Sequence, residues 1–350
     1  MDLISQGRVF IKTGPNMVST IQTATSRTAE APAHSPQGSS RTTSLVVIAF
    51  AAVYVVWGST YLAIRIGLES FPPLILAGLR HMTAGLILYP LFRQQADSRP
   101  TAINWRTTLV TGFLLLFAGN GGVSWAEQIV PSGVTALLVA TVSFWLVTLD
   151  WLWPGGMKPV PKVVMGLLLG FAGLAILVGP AQLGGSGRVD LSGAGILVLA
   201  SLAWACGSLY AKHGKMPSSP MLGVAMQSLW GGAILLIVGA LSGELRHFHI
   251  GAVSLRSWLA LAYLIAFGSG IGFSAYIYIL HKSTPARVST YAFVNPVVAL
   301  FLGWLMAGEA ITLRTILAAA VILTAVILVI TAPHRPPNRS TEPVPAPGEA

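Results

Sequence analysis

Gly58-Ser59-Thr60-Tyr61 is followed 61 positions later by Gly119-Asn120-Gly121-Gly122, and Gly207-Ser208-Leu209-Tyr210 is followed at the same spacing by Gly268-Ser269-Gly270-Ile271. The second pair stands 149 residues after the first, which reads as one internal duplication. Two later matches support it. The Ser143 region corresponds to Asn295-Pro296 at an offset near 153, and Leu174 to Val178 corresponds to Ala325 to Val329 at an offset of 151. Apolar segments interrupted by glycine at corresponding places in two halves point to the binding site of a transporter.

The surroundings of these motifs are membrane-like. Of 350 residues, 54% are hydrophobic and 9% charged, far below the roughly one quarter of charged residues in a water-soluble domain. The net charge of +10 is scattered between apolar runs and lacks the basic face that nucleic-acid binding needs. The single cysteine, Cys206, allows neither an internal disulfide nor a thiolate metal cage. No cofactor or metal motif is present, and without an ATP-binding motif any transport is secondary or facilitated. Residues 1–43 and 332–350, rich in Ser, Thr and Pro, read as disordered tails; translation from Met17 instead of Met1 would leave the fold intact.

A helix crossing a bilayer needs roughly 20 mainly apolar residues. Ten stretches qualify: 44–64, 72–92, 107–128, 132–153, 160–179, 191–211, 221–242, 257–280, 285–306 and 311–331. With the amino terminus inside, nine Lys and Arg fall in the inner loops against five outside, so both termini are expected in the cytoplasm. Five spans per half force the second half to enter from the opposite side, which makes the repeats inverted: residues 44–180 and 190–331.

At this point the residues carry a resemblance. Trp57-Gly-Ser-Thr-Tyr-Leu-Ala-Ile-Arg65, the run from Gly119 to Gln128, Val130-Pro-Ser-Gly-Val-Thr-Ala136, and Tyr291 to Val298 with Gly308-Glu309 resemble the EamA-domain proteins of the drug/metabolite transporter superfamily, in their YedA-like branch. The resemblance covers roughly Leu45 to Thr331. It implies an all-α polytopic membrane protein of ten helices, two inverted EamA repeats around a central cavity, and export of small metabolites, amino-acid-like or drug-like, across the bacterial inner membrane. Such proteins carry a proline near the middle of span four; this chain has Ser143 there.

Candidate site residues follow from depth and chemistry. At 1.5 Å per residue, Ser143, Asn295 and Gly268 lie about 15 to 17 Å along their spans, and Gly119 and Asn120 about 18 to 20 Å, all near the midplane. Proline at 296 frees the carbonyl of Ala292, so this backbone and the Asn295 amide could serve a ligand. Gly119, Gly121, Gly268, Gly270 and Pro296 are therefore the expected points of helix breakage or gating, with close packing as the alternative. Trp57, Tyr61, Trp204 and Tyr210 are expected to line the cavity, or else to anchor the helices.

Arg80, inside span two, carries an insertion penalty of at least about 2.5 to 3.5 kcal/mol and needs a partner: Glu127, backbone carbonyls, or an anionic group of the substrate. His81, some 100° further round the helix, reads as a satisfied polar residue. Glu127 is the candidate proton-coupling carboxylate. The expected partners are a small-molecule substrate, the lipid bilayer and a proton as counter-ion, with monomer and homodimer both open. An intramembrane enzyme, or a structural or receptor protein, are the competing classes; the first lacks a catalytic motif, and the second leaves the duplication unexplained.

Overall fold

Prolines and small hydroxyl side chains decide where the helices begin. The computed structural model describes residues 37–130, 132–179, 190–246, 248–307 and 311–333; residues 1–36 and 334–350 of the expected tails, Pro131 and Gly308-Glu309 lie outside them, while 37–43, expected as tail, are helical. Its helices are α1 (Gln37–Leu68), α2 (Pro73–Arg93), α3 (Ala102–Ala126), α4 (Ser132–Val139 with Thr141–Leu152), α5 (Pro161–Val178), α6 (Leu191–His213), α7 (Pro220–Leu241), α8 (Leu255–Lys282), α9 (Tyr291–Ala307) and α10 (Leu313–Ile330). The chain divides into two units at Ser44, and the unit from Ser44 onward holds the packing described here.

Thr101 caps α3 in a reciprocal box with Asn104, while Asp190, Ser219, Ser254 and Thr312 cap α6, α7, α8 and α10 through side-chain oxygens. These oxygens satisfy backbone donors that a helix start leaves open. Pro161 and Pro220 occupy the first helical position, where the missing N–H loses nothing. The start of α2 has only Pro72 as its cap. There Glu244, from the turn after α7, accepts from Leu74 N at 3.1 Å and Ile75 N at 3.0 Å.

Among the described residues all regular structure is helical, and nine helices are long and apolar enough to cross a membrane. The ninth expected span is the exception. A one-turn helix, Pro285–Val288, precedes α9, which has 17 residues, so the stretch expected as one helix over 285–306 is broken at Ser289 and Thr290. Its counterpart α4 breaks at Ala140, 150 positions earlier. The two breaks meet: Ser143 Oγ donates to the Ser289 carbonyl at 3.0 Å. Pro296, by contrast, sits inside an unbroken helix.

The glycine-rich motifs do not break their helices either. They widen them. Gly112–Gly121 in α3 and Leu264–Gly272 in α8 are π-helical, at corresponding places in the two halves. Packing keeps the same symmetry, with α2 against its counterpart α7 and α5 against its counterpart α10. Backbones come close in the first pair, where a Cβ on Gly232 would stand 2.4 Å from Met82 N.

Candidate functional site: a cavity beside two widened helices

Each widened segment seats a tryptophan from the first helix of the other half. A Cβ on Gly119 would lie 2.8 Å from Trp204 Cε3, and one on Gly272 would lie 2.5 Å from Trp57 Nε1. Trp57 Nε1 donates to the Gly268 carbonyl at 3.2 Å. Trp204 Nε1 donates to Tyr276 Oη at 3.0 Å. The Ser208 hydroxyl donates to the Trp204 carbonyl at 2.6 Å, so Tyr276 Oη donates in turn to Ser208 Oγ, 2.6 Å away.

The rings form one cluster. Trp57 lies 5.0 Å from Tyr276, 5.1 Å from Tyr291 and 5.6 Å from Trp204, measured between centroids. These separations fall in the range of favourable tilted and edge-to-face pairs.

Above this cluster is a cavity of about 100 Å³, room for several waters. Trp57, Trp204 and Tyr291 share its wall with Tyr61, Arg80, His81, Asn120, Glu127 and Asn295. Its lining runs toward the carboxyl end of α1, where Tyr61 and Ile64 stand, and to Glu127 just past the end of α3. On the opposite side of the aromatic cluster the helices are tied together. Tyr54 Oη lies 2.6 Å from Thr290 Oγ1, and the Ser143 to Ser289 bond lies in the same region. With its nitrogen turned toward the carbonyls, the Asn295 amide donates to Tyr291 O at 3.1 Å and Tyr54 O at 3.3 Å.

Arg80 is 5% exposed. Its Nε donates to Ser269 Oγ at 2.8 Å, and Ser269 Oγ lies 3.2 Å from His81 Nδ1. The hydroxyl accepts from the arginine and keeps a second lone pair, so which of Ser269 Oγ and His81 Nδ1 supplies the hydrogen between them follows the imidazole's tautomer. Among the described residues neither His81 Nε2 nor Asn120 Oδ1 meets hydrogen-bond geometry with a partner, and the Asn120 amide stands close enough to interact with the imidazole. α8 supplies a hydroxyl that both Arg80 and His81 reach, despite their angular separation on α2. The sequence contained the signal, since Ser269 is the counterpart of Asn120 in the duplicated motif.

Of the candidates, Trp57, Tyr61, Arg80, Gly119, Asn120, Glu127, Trp204 and Asn295 come together on the cavity. Ser143 and Tyr210 do not line it. Ser143 is spent on joining the breaks of α4 and α9, and Tyr210 lies too far along α6. Gly121 packs on Leu235 of α7, and Gly268 faces Thr60 and the Arg80 guanidinium. A Cβ on Gly270 would meet only the carbonyl of Ile265 on its own helix. Tyr291 and Ser269 are lining or supporting residues that depth alone did not select.

Comparison with known proteins accords with this architecture. The chain is 38% identical over 280 residues to the inner membrane transporter YedA of Escherichia coli K12, covering 79% of this chain and 88% of YedA. It is 24% identical to the transporter YvbV of Bacillus subtilis, over 83% and 92% of the two chains. A probable amino-acid metabolite efflux pump of Salmonella typhimurium is 26% identical over 77% and 90%. One crystal structure shares the fold with a TM-score of 0.69 at 20% identity, covering 82% of this chain and 98% of its own. The EamA-like transporter family matches twice, over residues 44–179 and 191–331. This chain, a multi-pass membrane protein with a duplicated helical unit, belongs to the EamA-like transporter family.

Proposed function

We propose that the protein is a secondary exporter of small metabolites, amino-acid-like or drug-like, in the bacterial inner membrane, and that its substrate occupies the cavity between the two halves. The observation that carries this reading is a polar, charged pocket at the place where the duplicated motifs meet. Buried charge inside a membrane is rare and marks substrate or ion pathways. Arg80, Asn120 and Asn295 would hold polar groups, and Trp57, Tyr61 and Trp204 the apolar part. Gly119, Gly121, Gly268, Gly270 and Pro296 would set the helix shapes that move. Glu127 is the carboxylate on the cavity wall through which a proton could be exchanged.

The loop charges favour cytoplasmic termini, which turns the cavity toward the outside and the tied aromatic cluster toward the cytoplasm. In this reading residues 44–180 and 190–331 rock against each other as inverted repeats. Cells lacking or overproducing the protein, challenged with amino acids, purines and toxic analogues, identify what it moves. Arg80→Ala and Asn295→Ala should then abolish flux in liposomes while leaving the amount of folded protein unchanged. Normal flux in both variants refutes the site, and turnover of a lipid or metabolite without any flux refutes transport.

A further inference from the structure

At the end of the molecule away from the central cavity lies a second concavity. The carboxyl ends of α4, α6 and α8 and the one-turn helix Pro285–Val288 enclose about 600 Å³, the size of a small-molecule site. Lys212, Lys282 and Arg287 line it together with Asp150, His213 and His281. A narrow slot of about 50 Å³ adjoins it, since Asp150, Met157, Thr284 and Arg287 belong to both walls. Lys158 lines the slot, and Val163 of α5 and Val329 of α10 supply apolar wall. Next to these valines, Val164 and Ile330 are exposed, as are Leu168 and Ile327 one turn away or less on the same helices. That is the apolar surface a bilayer covers.

Basic residues at this end are expected from the loop-charge bias alone. These differ from loop charges in being gathered around one space with little to answer them. Lys212 Nζ donates to the Ser283 carbonyl at 3.4 Å and Arg287 Nη2 to the Ala332 carbonyl at 3.2 Å, so neutral oxygens hold both at the wall. Among the described residues the one ion pair is Glu69 with Arg256. Lys158, Lys212, Lys282 and Arg287 therefore stand about a single carboxylate, Asp150, and pair with none. The two imidazoles are fixed as well. His213 Nδ1 donates to the Leu209 carbonyl at 3.0 Å and His281 Nδ1 to the Ile277 carbonyl at 2.8 Å, because a carbonyl only accepts. In the neutral ring this leaves Nε2 as an acceptor.

We propose that this concavity holds the headgroup of an acidic phospholipid, whatever the central cavity carries. The phosphate lies on Lys212, Lys282 and Arg287, headgroup hydroxyls give their hydrogens to Asp150 and the imidazoles, and the chain carbons nearest the headgroup enter the slot beside Val163 and Val329. Basic pockets between membrane helices bind lipid headgroups in this manner. Charge decides against a zwitterionic lipid, whose ammonium would meet the same cations. The adjoining apolar slot decides against a soluble phosphate, which has nothing to place there. Asp150 and Lys158 belong to the first half and the other polar groups to the second, so the bound lipid joins the halves at the end where Ser143 meets Ser289.

The test is native mass spectrometry of the purified full chain, titrated with phosphatidylglycerol, phosphatidylcholine of the same chains, and glycerol phosphate. Phosphatidylglycerol should bind at least about ten-fold more tightly than either of the others, as expected when several basic residues act together. Lys282→Gln and Arg287→Gln should each weaken it by about five-fold, the equivalent of about 1 kcal/mol per basic residue, and leave phosphatidylcholine binding unchanged. Lys282 is exposed and its side chain bonds no described residue, so Lys282→Gln decides the matter if Arg287→Gln does not fold. The control is Lys215→Gln, an exposed lysine at the same end that lines neither wall; it should bind like wild type. Equal affinity for the two lipids overturns the proposal. So does a loss in Lys215→Gln as large as in Lys282→Gln, the mark of diffuse surface charge. Glycerol phosphate binding as tightly as phosphatidylglycerol overturns the lipid and leaves a soluble anion in its place.

Discussion

Gly119→Ala tests whether the widened turn of α3 exists to seat Trp204. The new methyl would lie 2.8 Å from Cε3 of the indole, whereas ordinary contact begins near 3.4 Å, so the ring must retreat by about 0.6 Å, the difference of the two. The retreat is opposed because Trp204 Nε1 is held 3.0 Å from Tyr276 Oη, a bond worth about 1 kcal/mol. Overpacking of a filled interior adds about 1 to 3 kcal/mol, giving about 2 to 4 kcal/mol in all. The indole also lines the cavity, so flux should fall with stability. Thermal unfolding of detergent-solubilised protein and liposome flux are compared with Gly195→Ala, where a Cβ meets nothing within 4 Å. A Gly119→Ala protein that melts and transports like Gly195→Ala refutes the seating argument.

Gly232→Ala should be comparably damaging, since its methyl meets the backbone at Met82 N, at 2.4 Å, and backbone cannot rotate away; a loss of about 3 kcal/mol is expected, read as the folded fraction after extraction. Ser143→Ala removes the donor to the Ser289 carbonyl and should destabilise by about 1 to 3 kcal/mol, measured by thermal unfolding, with Ser143→Thr restoring part of the loss. Burial pushes the Glu244 carboxyl above the usual carboxylate range, opposed by the N–H groups of Ile75 and Leu74. The folded protein therefore binds this proton more tightly than the unfolded chain, so the stability this group contributes rises as pH falls through its raised folded pKa and is lost as pH climbs back. The difference in melting temperature between wild type and Glu244→Gln should follow that slope, and a pH-independent difference contradicts it.

Much of this was readable before any coordinates. Membrane-length apolar runs announce their helices because a bilayer leaves the backbone no partner but itself. The duplicated glycines located the cavity because equal spacing is independent of how each helix is shaped. What sequence left out is local shape and mutual approach. A break at Ala140 or at Ser289-Thr290 has no proline or glycine to mark it, while Pro296, the residue that should mark one, is absorbed within α9. Ser143 stood at the right depth but faces α9, and depth along a helix does not tell azimuth. Ser269 was hidden by its ordinary chemistry until Arg80 and His81 were seen to converge on it.

The two π-helical segments have a further consequence for motion. A π turn closes on the fifth residue back, not the fourth, so it stores extra chain within a continuous helix. Handing one residue along the axis turns the part beyond it by about 100° without opening a loop to lipid. Because α3 and α8 each hold such a segment at matched positions, each half stores spare chain at the place where a tryptophan of the other half is seated.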